Sequence, residues 1–546
     1  MKLMTKFKNK YLLNNSTPFV LLFFVGVILT TVYIVYGYRS IFHSDSATVN
    51  LLLREQIFSK EFFPHDWVYG QDVWVAFINN FMLLVRPLVH DELLLRSMGV
   101  IFQSVLLGLV VFIMLKKVAF KYSSIFLVLS LLFSGVSNSF LENTFGQAAY
   151  GNTILWILIM LFLVFNALIF QQEKRKFTYF VLIFVLNILL SSSGVRYFGV
   201  LTAPLVITLF LFNMLESNNE IYHLPYKKYF IYVLTITFST ILGLLIFKYA
   251  ISHSLFVKGL SSPVFVDIDG IKHNFYNYCF GMLVLVGALP RAGQSIISIG
   301  GIMASYRIIF YSAIMFVVPT YMALRYYKLK HQFSKILLLF YITSFVINTY
   351  IYIFGTVAVN MDSSRYFNNN LLMALILIGI YYEEFIYKQK KDLIIFCLCM
   401  LLPFYIFAYK DSITNYVTLD KNPGRMVLKQ NAHEAIKDYL IKEQLKFGYA
   451  SYWNSGVISV LSNYKVEVAP INLGSWTPFK WLSSTRWFKD DHYHGDTFIL
   501  LQGEEKQLNR ALLYQFLGEP IKILYKDDYE ILVFKGNIAK VLPGWS

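Results

Sequence analysis

About eleven long apolar runs, separated by short segments that are by turns basic and mixed, constrain this chain more than any other feature. A helix needs about 20 apolar residues to cross a bilayer. Candidate spans fall near 18–37, 98–115, 123–140, 153–170, 177–192, 197–214, 229–251, 303–323, 335–354, 369–387 and 392–409. The expected fold class is therefore an α-helical polytopic membrane protein of about eleven transmembrane helices, since a helix satisfies its own backbone in lipid. Composition agrees: 15% of the 546 residues are charged, against about 25% in water-soluble domains.

A net charge of +16 raises the question of nucleic acid, but its placement argues against that partner. The basic residues collect in short turns: Lys116/Lys117/Lys121, Lys174/Arg175/Lys176, Lys227/Lys228, Arg325/Lys328/Lys330 and Lys388/Lys390/Lys391. With Lys2, Lys6, Lys8 and Lys10 placed inside, every one of these turns becomes cytoplasmic, as the positive-inside rule requires. The N-terminus reads as a first span rather than a cleaved signal, because a long apolar run follows MKLMTKFKNK with no clear small-residue cleavage site. Cys279, Cys397 and Cys399 lie in or beside apolar segments at no metal-ligand spacing, so no disulfide framework is expected.

The same threading places segments 38–97, 141–152, 193–196, 252–302, 355–368 and the tail from 410 outside the cell membrane. In the first outer loop, Ser44–Phe58 reads as a helix lying along the interface, and Val73–Val89 as an interfacial or re-entrant piece. The run CFGMLVLVGALPRAG, too short to cross, reads as re-entrant. Two domains are expected, a membrane domain over 1–409 and a small extracytoplasmic α/β domain over 410–546. Within the latter, His433–Gln444 reads as helix, Phe447–Ser451, Val466–Ile471 and Thr497–Leu501 as extended, and Glu505–Phe516 as helix. Ile521–Phe534 reads as a hairpin turning at Asp527-Asp528.

The outer segments carry the chemistry. Asp45 follows the first span in His43–Asp72; it is either a general base that takes a proton from an attacking hydroxyl, or a helix cap. Arg196 in SSSGVRYF, Arg365 in NMDSSRYF and Arg291 in ALPRAG each stand at the outer end of a run. Guanidinium groups bind phosphate oxygens bidentately, although each could instead snorkel or pair with a carboxylate such as Asp362. Glu142 either contacts substrate or a metal, or ends a helix. Asp66 and Asp72 flank Trp67 and Tyr69, as in a sugar-binding surface or a plain turn. In the tail, Trp453, Trp476, Trp481 and Trp487 could stack on sugars or sit at headgroup level, with Trp453 also readable as core. DDHYHGD (490–496) reads as a solvated loop rather than a metal site.

This constellation resembles the GT-C superfamily, the multi-spanning glycosyltransferases that use polyprenyl-phosphate sugars, such as the protein O-mannosyltransferases and aminoarabinose transferases. The likeness lies in an inside N-terminus, a long first outer loop opening with HSDSA, amphipathic segments within that loop, and a soluble outer tail. It implies that Asp45 is the catalytic carboxylate and that Arg196, Arg291 or Arg365 bind the donor phosphate. His43, Asp66, Trp67, Tyr69, Asp72, Glu142, Tyr197 and Tyr366 would line the substrate site. Many relatives carry two adjacent acids where Ser46 follows Asp45 here, which leaves dependence on a divalent cation open. The acceptor would be a glycan, lipid or protein. A lipid-linked-sugar flippase or glycan transporter is the alternative class, disfavoured by charges that crowd one face and by the lack of a visible repeat.

Overall fold

The computed structural model describes residues 2–70, 72–169, 173–217, 226–253, 255–256, 264–386, 391–419 and 426–541. Among these, eight helices are long and apolar enough to cross a membrane: Ser16–Ile41, Glu92–Lys117, Ala149–Leu168, Phe198–Glu216, Tyr229–His253, Ile299–Leu324, Gln332–Phe354 and Met361–Ile386. Two shorter apolar helices, Tyr122–Leu132 and Phe177–Ser191, stand where further spans were expected. The first of these stops early because the chain turns at Gly135, whose φ of +72° is a conformation that glycine alone adopts without strain. The last expected span falls on the helix Lys391–Tyr416, which continues past residue 409. The side chains of Cys397 and Cys399, and those of the basic residues at 2–10, 174–176, 227–228 and 388–391, lie outside the described residues.

Ala149–Leu168 and Met361–Ile386 form the centre of the bundle, each 72% buried, whereas Ser16–Ile41 and Ile299–Leu324 are 28% buried and lie at its edge. At the end of the bundle away from the tail, consecutive carboxylates tie three helices together. Glu383 accepts from the Lys121 N–H and the Ser124 hydroxyl at the start of Tyr122–Leu132. Glu384 accepts from the N–H groups of Lys330 and His331 and from the Ser334 hydroxyl at the start of Gln332–Phe354. Each carboxylate satisfies donors that a helix leaves unpaired at its first turn, where negative charge is also favoured by the helix dipole.

The tail folds into a sheet with helices. We number the strands β1 (Trp67–Tyr69), β2 (Leu255–Phe256), β3 (Val417–Leu419), β4 (Met426–Leu428), β5 (Phe447–Ala450), β6 (Glu467–Asn472), β7 (Thr477–Pro478), β8 (Ser483–Ser484), β9 (Thr497–Gln502), β10 (Lys522–Lys526) and β11 (Tyr529–Phe534). The main sheet runs β10-β11-β9-β5-β6-β7. β5 is parallel to both β6 and β9, and the β10–β11 hairpin turns at Asp527-Asp528 as expected. The helix Tyr452–Leu461 connects β5 to β6.

The first loop is woven into this tail rather than spread on a membrane. β1 pairs antiparallel with β8 and parallel with β2. The helix Ser44–Ser59 is covered by Tyr452–Leu461 on one side, and its consecutive residues 46–53 are buried around the whole circumference. Its interfacial reading is thereby corrected: the covering surface comes from more than 390 residues further along the chain. Ion pairs rim this contact, with Glu55 to Arg486 at 2.6 Å, Arg54 to Glu467 at 3.5 Å and Arg39 to Glu434 at 2.6 Å. The re-entrant reading of CFGMLVLVGALPRAG also changes. Its first half belongs to the helix Ile268–Leu285, capped by Asp267, which accepts from the Gly270 N–H at 2.8 Å. The run thus opens on the apolar end of a longer helix with a polar first half, and that helix is not among the eight spans.

Candidate functional site

The start of Ser44–Ser59 is held from three sides, and this fixes Asp45. From beneath, Arg96, 2% exposed, donates to the carbonyls of Ser46 (2.8 Å), Gly146 (3.0 Å) and Gln147 (3.1 Å). From the tail, the Tyr452 hydroxyl donates to Asp45 Oδ1 at 2.7 Å, and the Ser44 hydroxyl donates to the Trp453 carbonyl at 3.1 Å. Asn431 donates to the carbonyls of Arg39 and Phe42, both at 2.8 Å, and His433 joins it to Asn454. Burial and the Asp45 carboxylate together push the Tyr452 phenol well above its ordinary value, so it stays a donor at any working pH. The cap reading of Asp45 is corrected: His43 occupies the cap position, and Asp45 lies in the first turn with its carboxylate turned to a cavity.

That cavity has a volume of about 230 Å³. Its wall includes Asp45, Asp72, Arg196, Tyr197, Arg365 and Tyr366, six of the residues singled out from sequence. Arg96, Gln147, Tyr150 and the tail's Trp481 and Leu482 also line it. Trp74 and Phe77, stacked at 5.0 Å, form part of its wall from the first loop.

Arg196 and Arg365 differ in what they are free to do. Arg196 is paired with Asp72 at 2.9 Å, and this carboxylate, ahead of all other influences, raises the guanidinium above its ordinary value. The approach is close: a Cβ on Gly194, whose φ is +150°, would lie 2.6 Å from Asp72 Oδ1. Arg365, half-buried, forms no ion pair among the described residues. It also lines a second, wider cavity of about 710 Å³ and so stands in the wall of both.

Glu142, Arg291, Asp362, Lys410 and the Arg307–Asp411 pair (2.6 Å) line the wider cavity. Arg291 is exposed there and forms no ion pair among the described residues. His43 Nε2 lies 3.3 Å from Glu142 Oε1 and 3.2 Å from Gln147 Nε2, linking a residue of each cavity wall.

Three candidates fall elsewhere. Trp67 is fully buried, its ring 6.4 Å from that of Trp487 in a T-shaped contact, and Tyr69 is 2% exposed; neither offers a face to a sugar. Both belong to β1, which the tail covers. Asp66 is a clamp between loop and tail, accepting from Thr485 Oγ1 and Lys489 Nζ, each at 3.1 Å. Burial alone would raise its carboxyl, but Lys489 and Thr485 outweigh that and hold it low. In the tail, Trp476 and Trp487 are core, whereas Trp453 is exposed and not core. Among the described residues no group of three or more His, Cys, Asp or Glu side chains is gathered as a metal site would need.

Sequence reasoning missed Arg96, Tyr452, Arg307 and Lys410. Arg96 stood beside a span and looked like a flanking charge; Tyr452 carried no signal, because its partner lies 407 residues away.

No family model matches the sequence, and no curated protein matches it. Among solved structures, the Archaeoglobus fulgidus oligosaccharyltransferase, tethered with an acceptor peptide containing the NVT sequon, aligns with a TM-score of 0.47 and 12% identity. The alignment covers 89% of this chain and 69% of that one. No residue role is carried across from it.

Proposed function

We propose that this protein is a membrane glycosyltransferase that moves a sugar from a polyprenyl-phosphate donor to a cell-envelope glycan, lipid or protein on the outer face. The observation that carries the proposal is that Asp45 and Arg365, which forms no ion pair among the described residues, line one cavity, with Arg365 also opening onto a second, wider one that Arg291 and Lys410 line. In this reading the N-terminus is cytoplasmic and the tail, residues 410–546, is an extracytoplasmic domain.

The chemistry divides between the two cavities. A lipid-linked phosphate sits at headgroup depth, where Arg365, with Arg291 and Lys410 nearby in the wider cavity, supplies positive charge to the leaving group. Arg196 acts through Asp72, as a strut that shapes the wall rather than as a free phosphate ligand. Asp45 accepts the proton of an acceptor hydroxyl as that oxygen attacks the anomeric carbon. The C–O bond to phosphate breaks as the new C–O bond forms, and its electron pair leaves with polyprenyl phosphate. Tyr452 holds Asp45 in one orientation for that step.

The test is release of polyprenyl phosphate from a panel of radiolabelled polyprenyl-phosphate sugars by purified protein with acceptor-containing membranes. Wild type should release it, Asp45→Asn should not, and Arg365→Met should bind the donor weakly. Release by Asp45→Asn at the wild-type rate removes the base; no release from any donor by wild type turns the assignment to a lipid-linked-sugar flippase.

A further inference from the structure

The tail carries a series of contacting aromatic rings, turned by 76° and 57° on either side of Tyr452, that begins at the protein surface and ends at the Asp45 cavity. Trp453 is 58% exposed, and its ring lies 5.3 Å from that of Tyr452. Tyr452 lies 5.6 Å from Phe479, and Phe479 lies 6.2 Å from Trp481 with the two planes only 11° apart. Phe479 and Trp481 are half-buried, and Trp481 lines the cavity. The turn that delivers Trp481 is strained, since Leu482 beside it has a φ of +46°, where side chains other than glycine rarely rest. Hydrophobic burial explains Trp476 and Trp487, which are core; it does not explain an exposed tryptophan in series with two half-exposed rings.

We propose that Trp453, Tyr452, Phe479 and Trp481 form a saccharide subsite that receives the acceptor, so that the acceptor is a glycan. The proposal rests on the transferase reading for its direction, not for its existence. Aromatic faces bind the C–H faces of pyranose rings, and a strip of four rings suits successive sugars better than a peptide, whose recognition calls for backbone partners. Polar groups for the hydroxyls flank the strip. Asp45 is bonded to Tyr452 in its middle, and the His43 ring lies 6.3 Å from Trp453 at its outer end. A sugar stacked at the Trp481 end would bring a hydroxyl into the cavity that Asp45 and Arg365 line.

The full chain in lipid nanodiscs, labelled with 5-fluorotryptophan, tests this by 19F NMR, with Trp453 and Trp481 assigned through Trp→Phe variants. The probes are neutral tetrasaccharides of gluco, galacto and manno configuration, a neutral Ser/Gly tetrapeptide, and undecaprenyl phosphate. At least one tetrasaccharide should move both resonances, and Trp453→Ala and Trp481→Ala should each raise its Kd about tenfold. The corresponding Phe variants should raise it less than about threefold, because the ring face is kept. Trp453 is exposed, so its replacement leaves the fold intact and a loss of binding there is interpretable. If no tetrasaccharide moves the two resonances, if the peptide moves them instead, or if Trp453 is broadened only by spin-labelled lipid, the proposal is overturned. Undecaprenyl phosphate reports separately on the donor: an Arg365-dependent response should persist in both Trp→Ala variants. Its absence beside an intact saccharide response would overturn the donor assignment and leave the subsite standing.

Discussion

Replacing Glu55 by Gln should loosen the joint between the first loop and the tail. Glu55 is 2% exposed, its Oε1 is 2.6 Å from Arg486 Nη2, and its Oε2 accepts from Ser484 Oγ at 3.2 Å. Removing one partner of a buried ion pair costs about 3–5 kcal/mol, chiefly because the other charge is stranded. Arg486 keeps 20% exposure, a place over the Phe58 ring at 4.0 Å and a contact to His492 at 3.5 Å. These soften its loss, so the lower end applies, about 3 kcal/mol. Local opening should then become about a hundredfold more frequent, since 1.4 kcal/mol is a factor of ten. Hydrogen exchange in nanodiscs, read over Ser44–Ser59 and β8, measures this directly. The double replacement Glu55→Met with Arg486→Met strands no charge and should exchange close to wild type. Protection within about threefold of wild type in Glu55→Gln, or a double variant as open as the single, would refute the assignment of this pair as the joint's main lock.

Other outcomes follow from the same geometry. Gly194→Ala puts a methyl group against the Asp72 carboxylate at a φ of +150° and should lower transfer about tenfold or more by displacing the Asp72–Arg196 strut, with the unfolding temperature also lowered by the backbone strain; kinetics well below the melting range beside a thermal melt checks it. Glu384→Gln weakens the anchoring of the Gln332–Phe354 N-terminus and should cost about 1–2 kcal/mol in thermal unfolding, with donor binding unaffected. The loop segment 61–69 should be held most firmly in mildly acidic solution. His65 is raised by its hydrogen bond to Glu61 and then by the Asp66 charge, so its contribution is complete below about pH 6.5 and is lost as pH rises through its raised value. Asp66 is lowered because Lys489 and Thr485 outweigh burial, and Glu467 because His492 and Arg54 do; their contributions are present above about pH 4.5 and are lost as pH falls through their lowered values. Limited proteolysis of segment 61–69 across pH should therefore show a minimum between these limits, and a monotonic profile would contradict it.

The sequence made some of this legible and concealed the rest for physical reasons. Long apolar runs and period-two strands are local signals, so the spans and the β10–β11 hairpin could be read directly. The grouping of Asp45, Arg196, Arg365 and Tyr366 in one cavity also lay within reach, because each stands at or beside an end of a span, whereas Asp72 joins them from the middle of the first loop. Burial of Ser44–Ser59 did not, since polar and apolar residues alike are enclosed around it and the covering helix lies more than 390 residues further along the chain. The roles of Trp67 and Tyr69 were misread because an aromatic beside an acid is a sugar platform only if its face stays open, and both rings are buried, Trp67 against Trp487. Conversely, the open rings are those of Trp453, Phe479 and Trp481, whose alignment depends on the turn at Leu482 rather than on any spacing.

The hydroxyl that steadies Asp45 has a consequence for the order in which the protein is made. Asp45 enters the membrane early in synthesis, but Tyr452 follows 407 residues later. Until the ribosome has passed that point and the tail has folded, the carboxylate lacks its donor and the aromatic strip does not exist. If the chain is the transferase proposed above, a half-made copy is inert toward its donor until the tail has folded.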